Sequence, residues 1–355
     1  MLINLSFFHR KSTKKYRIPR FITTFVAQKS FMEKLEQIKQ PVSVEFEVFK
    51  QKFDASLQSA NPLLGEVIHF IKQRKGKMMR PMLTLLMAKL YGEIVDSTYY
   101  SAISLELLHT ASLVHDDVVD ESDKRRGQSS VNAIYDNKVS VLVGDYLLAT
   151  SLMNAALTNE VRLVELVSCL GQQLSEGEII QLSNTNASDF SEAVYFNVIK
   201  KKTAALFAAA AEAGARSVNA SDEIVEKAYL FGEMIGIAFQ IKDDIFDYFS
   251  SEELGKPTGN DMQEGKLTLP ALYVLNSQKD KAMKDLALKI RALEASQEEI
   301  NTFISYVKQN GGIEYATQMM VDYRNKALAL LPQTTSKELK ESLAAYIDYV
   351  IERKK

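Results

Sequence analysis

Between about residue 43 and residue 353, apolar residues recur at spacings of three and four, and no stretch of polar-apolar alternation persists. That periodicity gives successive helices one greasy face each, and those faces are stable only when packed together. The implied fold class is all-α, with helices expected near 43–58, 62–74, 80–91, 97–120, 138–158, 160–183, 188–199, 202–216, 221–249, 263–276, 295–309, 311–330 and 337–353. Pro81 suits the first position of its helix and Ser188 an N-cap, while Gly92 and Gly214 fall near helix ends. The segment KTAALFAAAA (202–211) has side chains small enough for close helix packing. Connections are short and none is rich in Pro, Gly or Ser. Residues 41–355 therefore read as a single helical domain behind a basic arm, residues 1–40.

Composition narrows the function classes. The one cysteine, Cys169, excludes an internal disulfide and a cysteine-based zinc site, and fits a reducing compartment. No uninterrupted apolar run approaches the roughly 20 residues that span a bilayer, so no transmembrane segment is expected. Residues 1–31 hold seven Lys or Arg and no acid, although the whole chain carries a formal charge of -2. The remainder is therefore acidic, and nucleic acid is not an expected partner. The basic start fits an organellar transit peptide, a disordered arm, or translated sequence upstream of a start at Met32. The expected location is otherwise cytoplasmic, with loose membrane association if the product is greasy.

The chemical signal lies in two acidic clusters, each closing an apolar helix: LVHDDVVDESDKRRG (113–127) and FGEMIGIAFQIKDDIFDYF (231–249). Asp116 and Asp120 are four apart, so a helix puts both carboxylates on one face, where they repel unless something positive sits between them. His109 shares that face. In the second cluster, Phe231, Met234, Ile235, Ala238, Ile241 and Ile245 form an apolar stripe beside a polar one of Gln240, Asp243 and Asp247. One such cluster reads as a solvated helix end. Two point to hard divalent cations, since Mg²⁺ is typically held by one or two carboxylates together with substrate phosphates.

DDVVD (116–120) followed by KRRG (124–127), and DDIFD (243–247) followed by GKPTGNDMQEGK (255–266), resemble the two aspartate-rich motifs of the trans-isoprenyl diphosphate synthases. The likeness continues in order through GKMMRP (76–81), ELLHTASLVHDDVVD (106–120), GDYLLA (144–149), KTAALF (202–207) and SLAAYIDYVIERKK (342–355). It implies an isoprenoid synthase-type bundle of about ten or more helices around a central cavity, usually a homodimer. It also implies head-to-tail (1'-4) condensation of isopentenyl diphosphate onto an allylic diphosphate, with farnesyl diphosphate the expected primer.

The resemblance further implies residue roles. Asp116, Asp120 and Asp243 are the main Mg²⁺ ligands, with Asp117, Asp244 and Asp247 behind them or bound through water, and about three ions gather with the diphosphate. Lys202, Lys266 and Arg125 surround the leaving diphosphate, Gln240 orients a ligand or water, and Thr203 and Lys256 support. Lys77, Arg80, His109 and Arg126 match the separate anion site for isopentenyl diphosphate, where Arg offers a planar fork and Lys a point charge. His115 is left between packing and donating to a neighbour. Arg353, Lys354 and Lys355 either help close the mouth or form a frayed basic tail. The departing diphosphate is the expected acceptor of the final proton, so no side-chain base is named.

A product tail growing from the metal mouth should pass the residues just before Asp116. Ala111 and Ser112 are small there, whereas short-chain members of the family carry a bulky aromatic. Leu108 and Leu105 would line the next levels, each turn adding about 5.4 Å, and the floor is expected from another helix, around 151–167. The expectation is a long-chain product, serving a quinone side chain. Three rivals remain: a short-chain farnesyl or geranylgeranyl synthase, a non-catalytic partner subunit, and a terpene cyclase. The all-aspartate second motif with Lys77 and Arg80 argues against the cyclase, and retention of both motifs argues against the silent subunit.

Overall fold

The computed structural model describes residues 33–73, 76–125, 127–184, 190–249 and 258–352. Residues 1–31, Ser188, Arg126, Lys256, Arg353, Lys354 and Lys355, each given a reading from the sequence, lie outside the described residues. A first helix, α1 (33–39), runs through a 3-10 turn (Gln40–Val42) into α2 (Ser43–Ser56). Ile38 and Val42 are fully buried, and Ser342 Oγ donates to the Ile38 carbonyl at 2.8 Å. The folded body thus begins before residue 41, ahead of the boundary read from the sequence.

Next along the chain come α3 (Pro62–Gln73), α4 (Met79–Tyr91), α5 (Asp96–Val119), α6 (Val131–Leu157), α7 (Val161–Asn184) and α8 (Glu192–Ile199). A π-helical turn (Lys200–Ala204) leads into α9 (Ala205–Ser217), which is followed by α10 (Asp222–Asp247). The remainder comprises α11 (Asn260–Gln263), α12 (Leu269–Ser277), α13 (Lys281–Arg291), α14 (Gln297–Gln309), α15 (Gly312–Ala329) and α16 (Lys337–Glu352).

α9 is the axis of the bundle: α4, α5, α7 and α10 all pack on it. Its alanines allow that crowding, because Ala208, Ala210 and Ala211 are fully buried without displacing their neighbours. Gly214 lies in the last turn of α9, near the helix end as expected. A Cβ there would sit 2.4 Å from the Thr84 carbonyl of α4, so the glycine is required by backbone contact. Thr84 Oγ1 also donates to the Ala210 carbonyl at 3.0 Å. Large side chains such as Phe49, Leu85, Leu86, Ile103 and Phe231 fill the surrounding core, each contributing about 1.5–3 kcal/mol by burial. Tyr248, Leu272, Phe303 and Val307 belong to a second, smaller core among α12, α13 and α14.

Local differences from the sequence reading have visible causes. The helix read from 138 starts at Val131, capped by Ser130 Oγ, and is interrupted at Asp136 (φ 70, ψ 169), whose carboxylate caps the chain again at the Val139 N–H. The helix read over 263–276 is two pieces, α11 and α12, separated at Gly265 (φ 73). α8 takes Ser191 as its cap, and α13 was not anticipated. Lys124–Arg125 pairs antiparallel with Gln128–Ser129, a hairpin that is the sole sheet among the described residues.

Candidate active site

The first acidic cluster sits at the C-terminal end of α5. Asp116 is half-buried and Asp120, the helix C-cap, is exposed, its N–H bonded to the Asp116 carbonyl at 2.8 Å. Burial pushes the Asp116 carboxyl above its usual range; Lys202 and Arg125 oppose this, while Glu178 and Asp120 push further up. Asp117 turns the other way. It is buried, and its Oδ1 accepts Arg125 Nε at 2.6 Å, so it holds the hairpin that comes after the motif. Losing Arg125 would strand that carboxylate, at a cost of about 3–5 kcal/mol.

The second cluster closes α10. Asp243 is half-buried. Asp244 is buried and accepts Tyr195 Oη at 2.5 Å and Gln240 Nε2 at 2.9 Å. Burial drives its carboxyl up to about 7; the bonds from Tyr195 and Gln240 pull down, and the charges of Asp243 and Asp247 raise it. Asp247 accepts the backbone N–H groups of Asn260 and Asp261, each at 3.0 Å. It therefore ties the segment carrying Lys266 to the end of α10.

Two lysines join the clusters into one site. Lys202, in the π-helical turn, pairs with Glu178 and donates to Gln181 Oε1 at 3.2 Å, and its charge acts on Asp116. The next residue, Thr203, donates to Gln240 Oε1 at 2.7 Å, and Gln240 continues to Asp244. Lys266 pairs with Glu264 at 2.6 Å. Burial works to lower its ammonium, but the Glu264 bond and the charges of Asp120 and Asp261 outweigh that and hold it above its usual range. Asp120 from α5 thus acts on a lysine anchored to α10.

Lys77, just before α4, and Arg80, in its first turn, approach α16 and α9 respectively, and His109 lies on α5 seven residues before Asp116. Lys77 Nζ is 5.3 Å from the Tyr349 ring centre and the Arg80 guanidinium 5.2 Å from that of Phe207. The Tyr346 hydroxyl donates to the Met79 carbonyl at 2.9 Å; burial raises it strongly, with Arg80 opposing and Glu106 adding. Glu106 is one turn before His109 on α5. His115 meets the Val141 carbonyl and Asp145 Oδ1, both at 3.3 Å, so it packs α5 against α6.

Ala111 and Leu108 are buried and Ser112 is half-buried, its Oγ bonded to the His109 carbonyl at 2.9 Å. Facing Leu108 is Gly171 of α7, where a Cβ would lie 3.9 Å from Leu108 Cδ1. Part of α5 therefore faces α7 at this level. A surface pocket of about 310 Å³ is lined by Arg162, Glu212, Arg216, Asp222 and Tyr229 at the other end of α10. Its arginines are already paired, Arg162 with Asp222 at 3.0 Å and Arg216 with Glu212 at 2.6 Å.

Residues 61–307 match the family model for polyprenyl synthetase. The chain belongs to the polyprenyl synthetase family. It is accordingly a prenyltransferase of the all-α isoprenyl synthase class. A heptaprenyl diphosphate synthase component 2 from Bacillus subtilis is 35% identical over 311 residues, covering 87% of this chain and 88% of its own. A crystal structure of a geranylgeranyl pyrophosphate synthase from Bacteroides thetaiotaomicron shares 52% identity at a TM-score of 0.79, over 90% of this chain and 100% of its own. A polyprenyl synthase from Caulobacter crescentus, complexed with calcium and isoprenyl diphosphate, shares 30% identity at 0.82, over 90% and 98%.

The oxygen-only donors of this polyprenyl synthetase suit a hard divalent cation, and the upward push on the half-buried Asp116 is what such a cation would relieve. Among the described residues no three acidic, His or Cys side chains converge closely enough to hold an ion unaided. Sequence reasoning missed Glu178, Gln181, Tyr195, Glu106, Tyr346 and Tyr349. Their letters carry no signal of their own, because each acts through a contact between helices distant in sequence.

Proposed function

We propose that this chain is a long-chain all-trans-polyprenyl diphosphate synthase, adding isopentenyl diphosphate units head to tail to an allylic diphosphate such as farnesyl diphosphate. The observation that supports this most directly is the linkage of the two aspartate clusters through Lys202 and Lys266. Bound magnesium supplies Lewis-acid stabilisation of the charge that grows on the leaving diphosphate. Asp116, Asp120 and Asp243 would hold it, and the diphosphate provides the remaining oxygens. Lys202 and Lys266 add positive charge beside the leaving group, and Arg125 does the same from a hairpin fixed by Asp117. Lys77, Arg80 and His109 provide the second anion site for isopentenyl diphosphate. The apolar faces of α5 and α9 exclude water, which would otherwise quench the allylic carbocation. The leaving diphosphate accepts the proton lost at the end of each cycle.

The small Ala111 and Ser112 favour a long product, as does the likeness to a heptaprenyl synthase component. The likeness to a geranylgeranyl synthase favours a shorter one. Incubating the pure protein with farnesyl diphosphate, labelled isopentenyl diphosphate and magnesium, then sizing the released alcohol, decides between them. A linear alcohol longer than geranylgeraniol is expected. Geranylgeraniol or farnesol as the dominant species refutes the long-chain reading, and turnover only after adding a second protein makes the chain one component of a pair. A quinone side chain is the destination in keeping with such a product.

We assign the partner as a second copy of the chain, docking on α6. Although no transmembrane segment is expected from the sequence, that helix is long and apolar enough by length and composition to cross a bilayer, with 44% of its apolar window buried inside the fold. One side packs on α5. The other exposes Ile134, Val141, Leu142, Leu152, Met153 and Leu157, an apolar strip suited to a self-complementary interface.

A further inference from the structure

Each of the three cations assigned to the leaving diphosphate is paired with a carboxylate: Arg125 with Asp117, Lys202 with Glu178, Lys266 with Glu264. The three pairs are not equivalent. Asp117 is buried and fixes Arg125 as part of the fold. The Glu264 side chain is 60% exposed, which makes its pairing with Lys266 the most water-screened of the three. Glu178 lies between these cases, its side chain 19% exposed and that of Lys202 27% exposed.

The Lys202–Glu178 pair also has a built seat. Gly177 lies where a Cβ would come within 2.9 Å of Lys202 Cγ and 3.2 Å of its backbone nitrogen, so α7 can approach the π-helical turn only with glycine there. Gln181, one turn on from Gly177, accepts a second hydrogen bond from the Lys202 ammonium. Within one turn and its neighbour, α7 thus supplies close approach, an opposite charge and a neutral acceptor, all directed at one lysine.

We propose that Glu178 is a positioning residue that holds Lys202 away from anions until a divalent cation is present, making diphosphate binding strictly dependent on metal. This rests on the synthase reading of the site. A bare diphosphate entering the site meets the carboxylates of Asp116 and Asp120 and must break the Lys202–Glu178 pair without replacing it. A cation and a diphosphate arriving together offer positive charge to the carboxylates and oxygens to the ammonium, so every partner is exchanged instead of lost. The device discourages unproductive capture of free anions, inorganic phosphate included, by an otherwise lysine-lined mouth.

Isothermal titration with inorganic pyrophosphate, in EDTA and in magnesium, tests this on the full chain. Glu178→Gln is expected to tighten metal-free binding about tenfold, in keeping with removal of a half-buried opposing charge. The gain on adding magnesium shrinks correspondingly. Glu176→Gln, which removes the exposed partner of Lys201, and Glu264→Gln should leave metal-free binding within about twofold of wild type. In a Lys202→Gln background the effect of Glu178→Gln should vanish, since Glu178 acts through that lysine. Glu178→Ala carries the same expectation should the glutamine variant fail to fold. Unchanged metal-free affinity in a folded Glu178 variant overturns the proposal, as does a gain that survives Lys202→Gln. If the wild type binds pyrophosphate with magnesium and elongates substrate, such a result removes this proposal alone. If it binds pyrophosphate under neither condition, the synthase reading fails with it.

Discussion

Replacing Ala111 by Phe should shorten the product, and the structure indicates by how much. Ala111 is five residues before Asp116 on α5, about 7.5 Å along the axis at 1.5 Å per residue, and Leu108 is eight residues before it, about 12 Å. The side chain at 111 is buried, so a phenyl ring there is forced into whatever space the growing tail uses. A block at the level of Leu108 can be built independently from the other wall, by Gly171→Leu on α7, since a Cβ at that position already lies in van der Waals range of Leu108. The two levels differ by about one helical turn, comparable with one isoprene unit. Both variants should therefore give shorter alcohols than wild type, with Ala111→Phe the shorter by about one unit. Overpacking costs Ala111→Phe about 1–3 kcal/mol, so unfolding should move down by several degrees while leaving a folded enzyme. The assay is chromatographic sizing of the alcohols released from the products, with magnesium titrated in parallel to show that the diphosphate end is intact. Wild-type product length from a folded, magnesium-dependent Ala111→Phe enzyme would refute a tail path along this face of α5. Equal lengths from the two variants would refute the graded geometry.

Tyr195→Phe removes the 2.5 Å hydrogen bond to Asp244 and should cost about 1.5–3 kcal/mol in thermal or denaturant unfolding, with a higher magnesium requirement for turnover; an unchanged magnesium requirement would show that Asp244 is held well enough by Gln240. Asp244 and Asp261 are pushed up by burial, to about 7 and about 8, from an ordinary 3.8, so between those values the folded chain keeps protons that the unfolded chain has released. Metal-free stability should accordingly be greatest near pH 4 as far as these groups decide it, and fall as pH rises to about 8; unfolding midpoints that rise over that window in EDTA would contradict the assignment. Leu142→Asp, on the exposed strip of α6 where Leu142 is 68% exposed, should convert a dimer to a monomer by light scattering or sedimentation, and an unchanged mass would place the interface elsewhere.

The helices with long unbroken apolar periods were legible. The expected 97–120 and 221–249 correspond to Asp96–Val119 and Asp222–Asp247. Periodicity failed where the backbone departs from it. Asp136 breaks α6 with a positive φ, so the periodic run begins near 138 although the helix starts at Val131. α13 is short and carries four Lys or Arg residues in eleven, and its apolar positions Met283, Leu286, Ala287 and Ile290 were too few to register. At the site, the aspartates were legible because like charges repeated on an apolar helix end require an explanation. Glu178 and Tyr195 were not, because a glutamate on an amphipathic helix and a tyrosine in YFNVI are ordinary local choices. Only the approach of α7 to the π-helical turn, and of α8 to α10, gives them work.

The two DDxxD strings are alike in sequence but differ in what their members do, and helix geometry accounts for it. Positions i and i+4 share a face, while i+1 is rotated by about 100° toward the packed side. The middle aspartates, Asp117 and Asp244, are therefore both buried, and each spends its oxygens on a neighbouring element: Arg125 in one case, Tyr195 and Gln240 in the other. The last positions diverge. Asp120 ends α5 exposed, its charge reaching Lys266, whereas Asp247 gives both carboxylate oxygens to the N–H groups of Asn260 and Asp261. An ion bridging i and i+4 is thus available on the first motif without breaking structure. On the second motif it would compete with the cap that fixes the Lys266 segment. The asymmetry makes Asp116 with Asp120 a pair and leaves Asp243 to act singly, so an Asp247→Asn variant, which keeps one acceptor for the cap, should be tolerated better than Asp120→Asn in a magnesium titration of turnover.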